Sequence, residues 1–89
     1  ESRKTMVDEV EVLENCFIDK KILADADFKK YKLILIGVVK AKKAKLYQHT
    51  MQLVDKYFYF NPDGEIELEK GDVLIVIGDV RGIEYFKYE

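Results

Sequence analysis

The chain has 89 residues, of which 48% are hydrophobic and 36% are charged, and this composition is typical of one folded domain rather than a disordered tail. The formal net charge of −2 argues against binding to nucleic acid or to an anionic membrane. No apolar run approaches the roughly 20 residues of a membrane-spanning helix, and a single cysteine, Cys16, excludes an internal disulfide and is typical of a reducing cytoplasm.

The first half of the chain predicts a strand, a helix and a second strand. Residues 7–13 alternate between apolar and acidic positions, which favours a half-exposed strand at a sheet edge. Residues 19–31 are predicted to form a helix. Apolar residues recur there at helical spacing, namely Ile18, Ile22, Leu23 and Ala26. Residues 33–39 are a nearly continuous apolar run and predict a buried strand.

The second half is predicted to add a helix, two strands and a final helix. Apolar residues at helical spacing favour a helix over residues 43–56, and a short aromatic strand follows at 57–60. The sequence of residues 61–64 predicts a turn. Residues 73–77 are apolar at every position, which predicts a strand covered on both faces, and 80–88 favour an amphipathic helix. The fold class is therefore α+β, with a small sheet of about four strands and two or three packed helices.

Four segments, taken in order, resemble the C-terminal subdomain (C-lobe) of RCK domains, the regulators of potassium conductance in prokaryotic potassium channels and transporters. These segments are residues 15–27, 32–40, 58–62 and the strand at 73–77 with its flanking Gly-Asp turns. The resemblance covers nearly the whole chain and implies a β-α-β-β-β-α arrangement. Residues 41–56 depart from the pattern, because a tight turn usually joins the two strands in that family.

The resemblance implies a cytoplasmic regulatory lobe of a potassium channel that dimerises and senses a ligand. In the family, ligand binding shifts the arrangement of lobes and the movement reaches a pore. A short chain with a marginal core also favours a homodimer. The expected dimer contact consists of Ile18, Ile22, Leu23, Ala26, Ile34 and Ile36. Because the chain starts with Glu1, we expect a fragment of a longer membrane-associated protein.

Two other functions remain open. The same kind of domain could regulate another potassium or ion-coupled transporter, or it could be a purely structural dimerisation module. An enzyme is not expected, because no nucleophile, acid and base pair or metal cluster is suggested by the spacing of the residues. No cofactor is expected for the same reason.

A basic cluster, followed by Tyr47 and His49, suits a nucleotide or another phosphate-bearing ligand. It consists of Lys40, Lys42, Lys43 and Lys45. An exposed helix face kept soluble by lysine is the favoured explanation of this cluster. Some RCK relatives hold a cyclic dinucleotide between two subunits at this rim. The resemblance implies that the matching positions are Ile34, Ile36, Lys40, Asn61 and Pro62.

A second candidate is an acidic segment that could attract a cation. It contains Asp63, Glu65, Glu67 and Glu69. The calcium loop of an EF-hand does not fit there, because Tyr59 and Lys70 occupy the two anchoring positions. The sequence therefore predicts no dedicated metal site and favours a solvated face, while the calcium-gated RCK channels leave a weak cation ligand open.

Overall fold

The computed structural model describes residues 4–44 and 50–89, and these form an antiparallel sheet with one α-helix and two short 3₁₀ helices. The strands are β1 (Thr5–Glu11), β2 (Leu33–Lys40), β3 (Thr50–Gln52), β4 (Tyr57–Phe60) and β5 (Val73–Asp79). The 3₁₀ helices span Leu23–Asp25 and Phe28–Tyr31, and α1 spans Val80–Lys87. The predicted α+β class is confirmed.

The strands lie in the order β1-β5-β2-β4-β3, so β1 and β3 are the two edges. β5 pairs with β1 on one side and with β2 on the other, and Leu74 is in register with both Val10 and Val38. The prediction of an acidic edge strand near the N-terminus is confirmed by β1. Its charged residues discourage pairing with other chains along that edge.

The hydrophobic core lies on one face of the sheet, under α1 and the 3₁₀ helices. Leu74 and Val76 of β5 are fully buried there, as is Phe86 of α1. Phe86 is the centre of an aromatic cluster, with its ring centroid 5.2–5.4 Å from those of Phe17, Phe28 and Tyr31. Asp79 caps α1 by accepting a hydrogen bond from the Arg81 N–H at 3.3 Å, as its position before the helix predicts.

The predicted helix over residues 19–31 is wrong, because turns and the two 3₁₀ helices occupy that segment. Lys20 and Lys32 have φ angles of 66° and 58°, in the left-handed region that ends a right-handed helix. Several backbone groups of the segment also pair with residues 64–68 instead of within a helix. The Leu23 N–H donates to the Ile66 carbonyl at 2.9 Å, and the Leu68 N–H donates to the Lys21 carbonyl at 2.8 Å.

The predicted helix over residues 43–56 is also wrong where the structure describes it, because β3 and β4 form a hairpin. Met51 pairs with Phe58, and the Leu53 N–H donates to the Lys56 carbonyl at 2.8 Å to close the turn. The strand at 57–60 offers free backbone groups to a neighbour, and this pairing outweighs the weak helical pattern. Lys45, Tyr47 and His49 of the predicted basic cluster lie outside the described residues.

The expectation that β5 is covered on both faces is wrong for the single chain. Val73, Ile75 and Ile77 alternate with the buried Leu74 and Val76, yet they are only half-buried. The helices of the described residues pack on the opposite side of the sheet, where the core is found. The strand therefore has one covered face and one face that water reaches.

Candidate functional site

The side of the sheet away from the core is apolar, and we call it the open face. Four of its side chains are strongly exposed, with 54% for Val7, 68% for Ile34, 60% for Met51 and 62% for Phe60. Half-buried apolar residues lie between them, namely Val39, Phe58, Val73, Ile75 and Ile77. Antiparallel sheets with one wet face normally place polar residues there, so the open face is more apolar than the solvent-exposed side of an ordinary sheet.

Strand register joins these residues into continuous rows. Val7, Ile77 and Ile34 face one another across β1, β5 and β2. A second row runs through Val73, Val39 and Phe58 to Met51 on β3. These rows make the open face one apolar surface that extends from one edge of the sheet to the other.

Gly37 of β2 shapes the middle of the open face. A Cβ atom at this position would lie 2.6 Å from Cε1 of the Phe58 ring and 2.6 Å from the Tyr59 carbonyl oxygen. The ring therefore lies directly over the glycine, in space that any side chain would need. Glycine here keeps Phe58 flat on the sheet and the surface shallow.

Charged side chains of the open face lie near its two edges. Glu9 and Glu11 alternate with the core residue Val10 along β1, and both are exposed. Lys56 is exposed at the far edge, two residues before Phe58 and therefore on the same side of the strand. The face thus has acidic groups at the β1 edge, a basic group at the β3–β4 edge and apolar residues between them.

The residues predicted for a dimer contact do not lie on one surface. Ile18, Leu23 and Ala26 are buried in the core of the single chain, where packing already uses their side chains. Ile22 is half-buried and bridges to Glu67. Of this set, Ile34 lies on the open face, and Ile36 is half-buried beside an irregularity in β2.

A basic cleft of about 650 Å³ lies at the end of β2. Its lining includes Lys20, Lys42 and Lys43 together with the apolar residues Ile66 and Leu68. Three carboxylates share the rim, from Glu65, Glu67 and Glu69. The structure therefore brings the predicted lysine cluster together with the predicted acidic segment, and the cleft presents both signs of charge.

Lys40, the first member of the lysine cluster, is held by the protein itself. Its ammonium group is buried, at 4% exposure of the residue, and donates hydrogen bonds to the Asp72 carboxylate and, at 2.8 Å, to the Glu67 carbonyl. Asp72 is 2% exposed and also accepts the Glu69 N–H at 2.9 Å. Burial raises the pKa of the Asp72 carboxyl, while hydrogen bonds from Lys40 and the Glu69 N–H oppose that rise.

The other predicted ligand positions are separated from this cleft. Ile34 is on the open face, and Asn61 and Pro62 follow β4. Asn61 has a φ of 46°, and its N–H donates to the Ile36 carbonyl at 2.8 Å. Within one chain, the apolar and basic halves of the predicted site therefore belong to different surfaces.

A second cavity, of about 880 Å³, lies between α1 and the turn before β2. Its lining includes Arg81, Tyr85 and Tyr88 of α1 together with Lys30 and Lys32. This cavity was not predicted from the sequence. The available signal was the spacing of Arg81, Tyr85 and Tyr88, which places them on one stripe of a helix.

Among residues 4–44 and 50–89, no group of three or more His, Cys, Asp or Glu side chains is placed to hold a metal ion. The described part of the chain also has no helix with the length and apolarity needed to span a bilayer. No protein-family model matches the sequence, and no curated protein matches it.

Proposed function

We propose that this chain is a dimerising regulatory module of the RCK C-lobe type, attached to a potassium channel or transporter on its cytoplasmic side. The resemblance supports the family, and the α+β fold agrees with it in class. The observation that carries the proposal is the open face. A regulatory lobe that transmits movement between subunits needs such a contact, and the open face has the composition of one.

The open face is large enough to hold two copies together. The molecule measures 44 by 25 by 20 Å along its principal axes. The area of a face spanned by the two longer axes is therefore large enough to bury the roughly 800 Å² that each partner contributes to a standard interface. Sheets that pack face to face lie about 10 Å apart and interdigitate their side chains. A second copy would therefore convert the half-buried residues of β5 into a second core.

Regulation through such a pair requires two arrangements of unequal ligand affinity. A ligand or a neighbouring domain that binds both arrangements equally shifts no population. A dimer of rigid sheets could adopt two such arrangements, because a small rotation at the shared face would displace the far ends of both copies. The parent pore or transporter would respond to that displacement.

Sedimentation equilibrium over a wide concentration range tests the proposal. The parent chain is expected to dimerise, and Ile34→Glu is expected to be monomeric, because it places a charge in the middle of the shared face. Tyr85→Glu is the matched control, since Tyr85 is 70% exposed on α1, away from the open face. A monomeric parent, or loss of the dimer only in Tyr85→Glu, would overturn the proposal.

Ligand sensing at the basic cleft is a second candidate, favoured by the convergence of Lys20, Lys42 and Lys43 beside Ile66 and Leu68. Lysines could bind phosphate oxygens, while the apolar residues shelter a base. Calorimetric titration with cyclic di-adenosine monophosphate, ATP, NAD and calcium tests it. Binding that disappears in the Lys42→Ala, Lys43→Ala double variant supports the cleft, and binding that is unchanged refutes it.

A further inference from the structure

We propose that the two copies of the dimer meet with their two-fold axis parallel to the strands, so that β3 of each copy crosses over β1 of the other. The inference rests on the proposed function, because it assumes that the open faces meet. It adds the orientation of the contact and assigns a role to the charges at both edges of the face.

Two orientations keep the strands of both copies aligned, as in most face-to-face sheet packings, when identical sheets meet around a two-fold axis that lies between them. An axis parallel to the strands reverses the order of strands, and β1 then faces β3. An axis that runs across the strands keeps their order, and β1 then faces β1. Both orientations bury the central strands, so the residues near the edges decide between them.

The charges of β1 oppose the second orientation. If β1 faces β1 and the axis runs along the middle row of Glu9, Ile75 and Gly37, the Glu9 carboxylates of the two copies confront each other, and each Glu11 lies one position of the face from the Glu9 of the second copy. Like charges placed opposite each other destabilise a contact. No basic residue of the open face lies on β1 to compensate, because its remaining positions on this side are Thr5 and Val7.

The parallel axis gives these carboxylates a complementary neighbour. Glu11 is in the same cross-strand row as Met51, at opposite ends of the row. A parallel axis places this Glu11 against the β3 edge of the second copy. Lys56 lies at that edge. It precedes Phe58 by two residues and is therefore about 7 Å from the row, measured along the strand. None of the ion pairs among the described residues involves Lys56.

The apolar residues fit the same orientation. Within one row, Phe58 and Val73 lie on either side of Val39. A parallel axis through β2 places each Phe58 over Val73 of the second copy. In the neighbouring row, Phe60 and Ile75 flank Gly37. The large side chains of β4 therefore lie over the aliphatic side chains of β5, and the Phe58 ring of each copy covers Gly37 near the centre.

Charge reversal distinguishes the two orientations. For the parallel axis, Glu11→Lys and Lys56→Glu each weaken the dimer by about three- to tenfold in Kd, and the double variant recovers most of the loss. For the axis across the strands, Glu11→Lys relieves repulsion and tightens the dimer. Lys29→Glu serves as the control, because Lys29 is exposed on the second 3₁₀ helix and away from the open face.

Cysteine cross-linking provides an independent readout in a Cys16→Ser background. Packed sheets about 10 Å apart hold facing Cα atoms beyond the reach of a disulfide, so a bismaleimide with a spacer of about 10 Å is used as the cross-linker. Copies that carry Met51→Cys are expected to be joined to copies that carry Glu11→Cys, and a mixture of the two single variants detects this pairing directly. A dimer that tightens with Glu11→Lys, or that cross-links Glu11→Cys only to itself, overturns the orientation and leaves the proposed function intact. A monomeric parent chain overturns both.

Discussion

Replacement of Lys40 by Met should show that this lysine is part of the fold. Lys40 joins the end of β2 to the loop before β5, through Asp72 and the Glu67 carbonyl. Methionine keeps most of the apolar stem and removes the charge. The Asp72 carboxylate then stays buried with one remaining hydrogen bond, from the Glu69 N–H at 2.9 Å.

The expected cost follows from that burial. Removal of one partner of a buried ion pair costs about 3–5 kcal/mol, because the other charge remains without compensation. The whole domain is expected to be stable by roughly 4–13 kcal/mol. Lys40→Met therefore removes a large part of the free energy of unfolding at neutral pH, and the variant unfolds at a much lower urea concentration than the parent.

The loss should depend on pH in a defined direction. Burial already raises the pKa of Asp72, and removal of Lys40 raises it further. A folded state with the higher pKa binds the proton more readily than the unfolded state, so stability increases as the pH falls through that pKa. The difference between Lys40→Met and the parent should therefore be largest at neutral pH and should shrink as the pH falls.

Urea denaturation followed by circular dichroism at several pH values measures these effects. The Lys40→Met, Asp72→Asn double variant should regain most of the lost stability at pH 7, because it leaves no buried charge. Lys87→Met is the matched control. Its partner Asp8 is 3.0 Å away, but both side chains are about 31% exposed, so the expected loss is below about 1 kcal/mol. Equal losses for the two single variants, or a loss in Lys40→Met that does not vary with pH, would refute the reasoning.

Three further outcomes are expected. Leu74→Ala costs about 2–5 kcal/mol in urea denaturation, whereas Ile75→Ala, at a half-buried site, costs less in the monomer and weakens dimerisation in sedimentation. Gly82→Ala lowers the melting temperature although alanine favours helices, because its Cβ would lie 2.3 Å from a backbone carbonyl oxygen. The pKa of Asp8 is lowered and that of Lys87 is raised, mainly by their mutual hydrogen bond, so the stability advantage of the parent over Lys87→Met is lost as the pH falls below about 4.

The strands could be predicted from the sequence because their signals are local. The apolar runs of β2 and β5 and the aromatic run of β4 lie close to their predicted positions, and the cap at Asp79 predicts the start of α1. These elements depend on side-chain type and on neighbours in the chain. The two predicted helices failed because their segments find backbone partners elsewhere in the fold, and spacing within the segment contains no information about those partners.

The candidate site could also be predicted from the sequence only in part. Lys42 and Lys43 lie in one cleft with Lys20, which the lysine cluster predicts only in part. Lys40 differs because alternation along β2 directs its side chain to the core side, opposite an aspartate 32 residues away in the sequence. A lysine at the end of an apolar strand resembles a ligand-binding residue in the sequence. Only the three-dimensional pairing with Asp72 shows that its charge is already compensated.

The uninterrupted apolar pattern of β5 also bears on how two copies of the chain would pack together. Uninterrupted apolar residues are typical of strands that are covered on both faces. In the described part of the chain, however, no second layer packs over Ile75 and Ile77, and they contact only their neighbours within the open face. The same holds for Ile34, which remains 68% exposed beside them. Selection for solubility opposes a surface of this kind on a protein that stays alone. A sequence pattern that is wrong for the single chain is therefore the one expected of a protein whose second core forms between two copies.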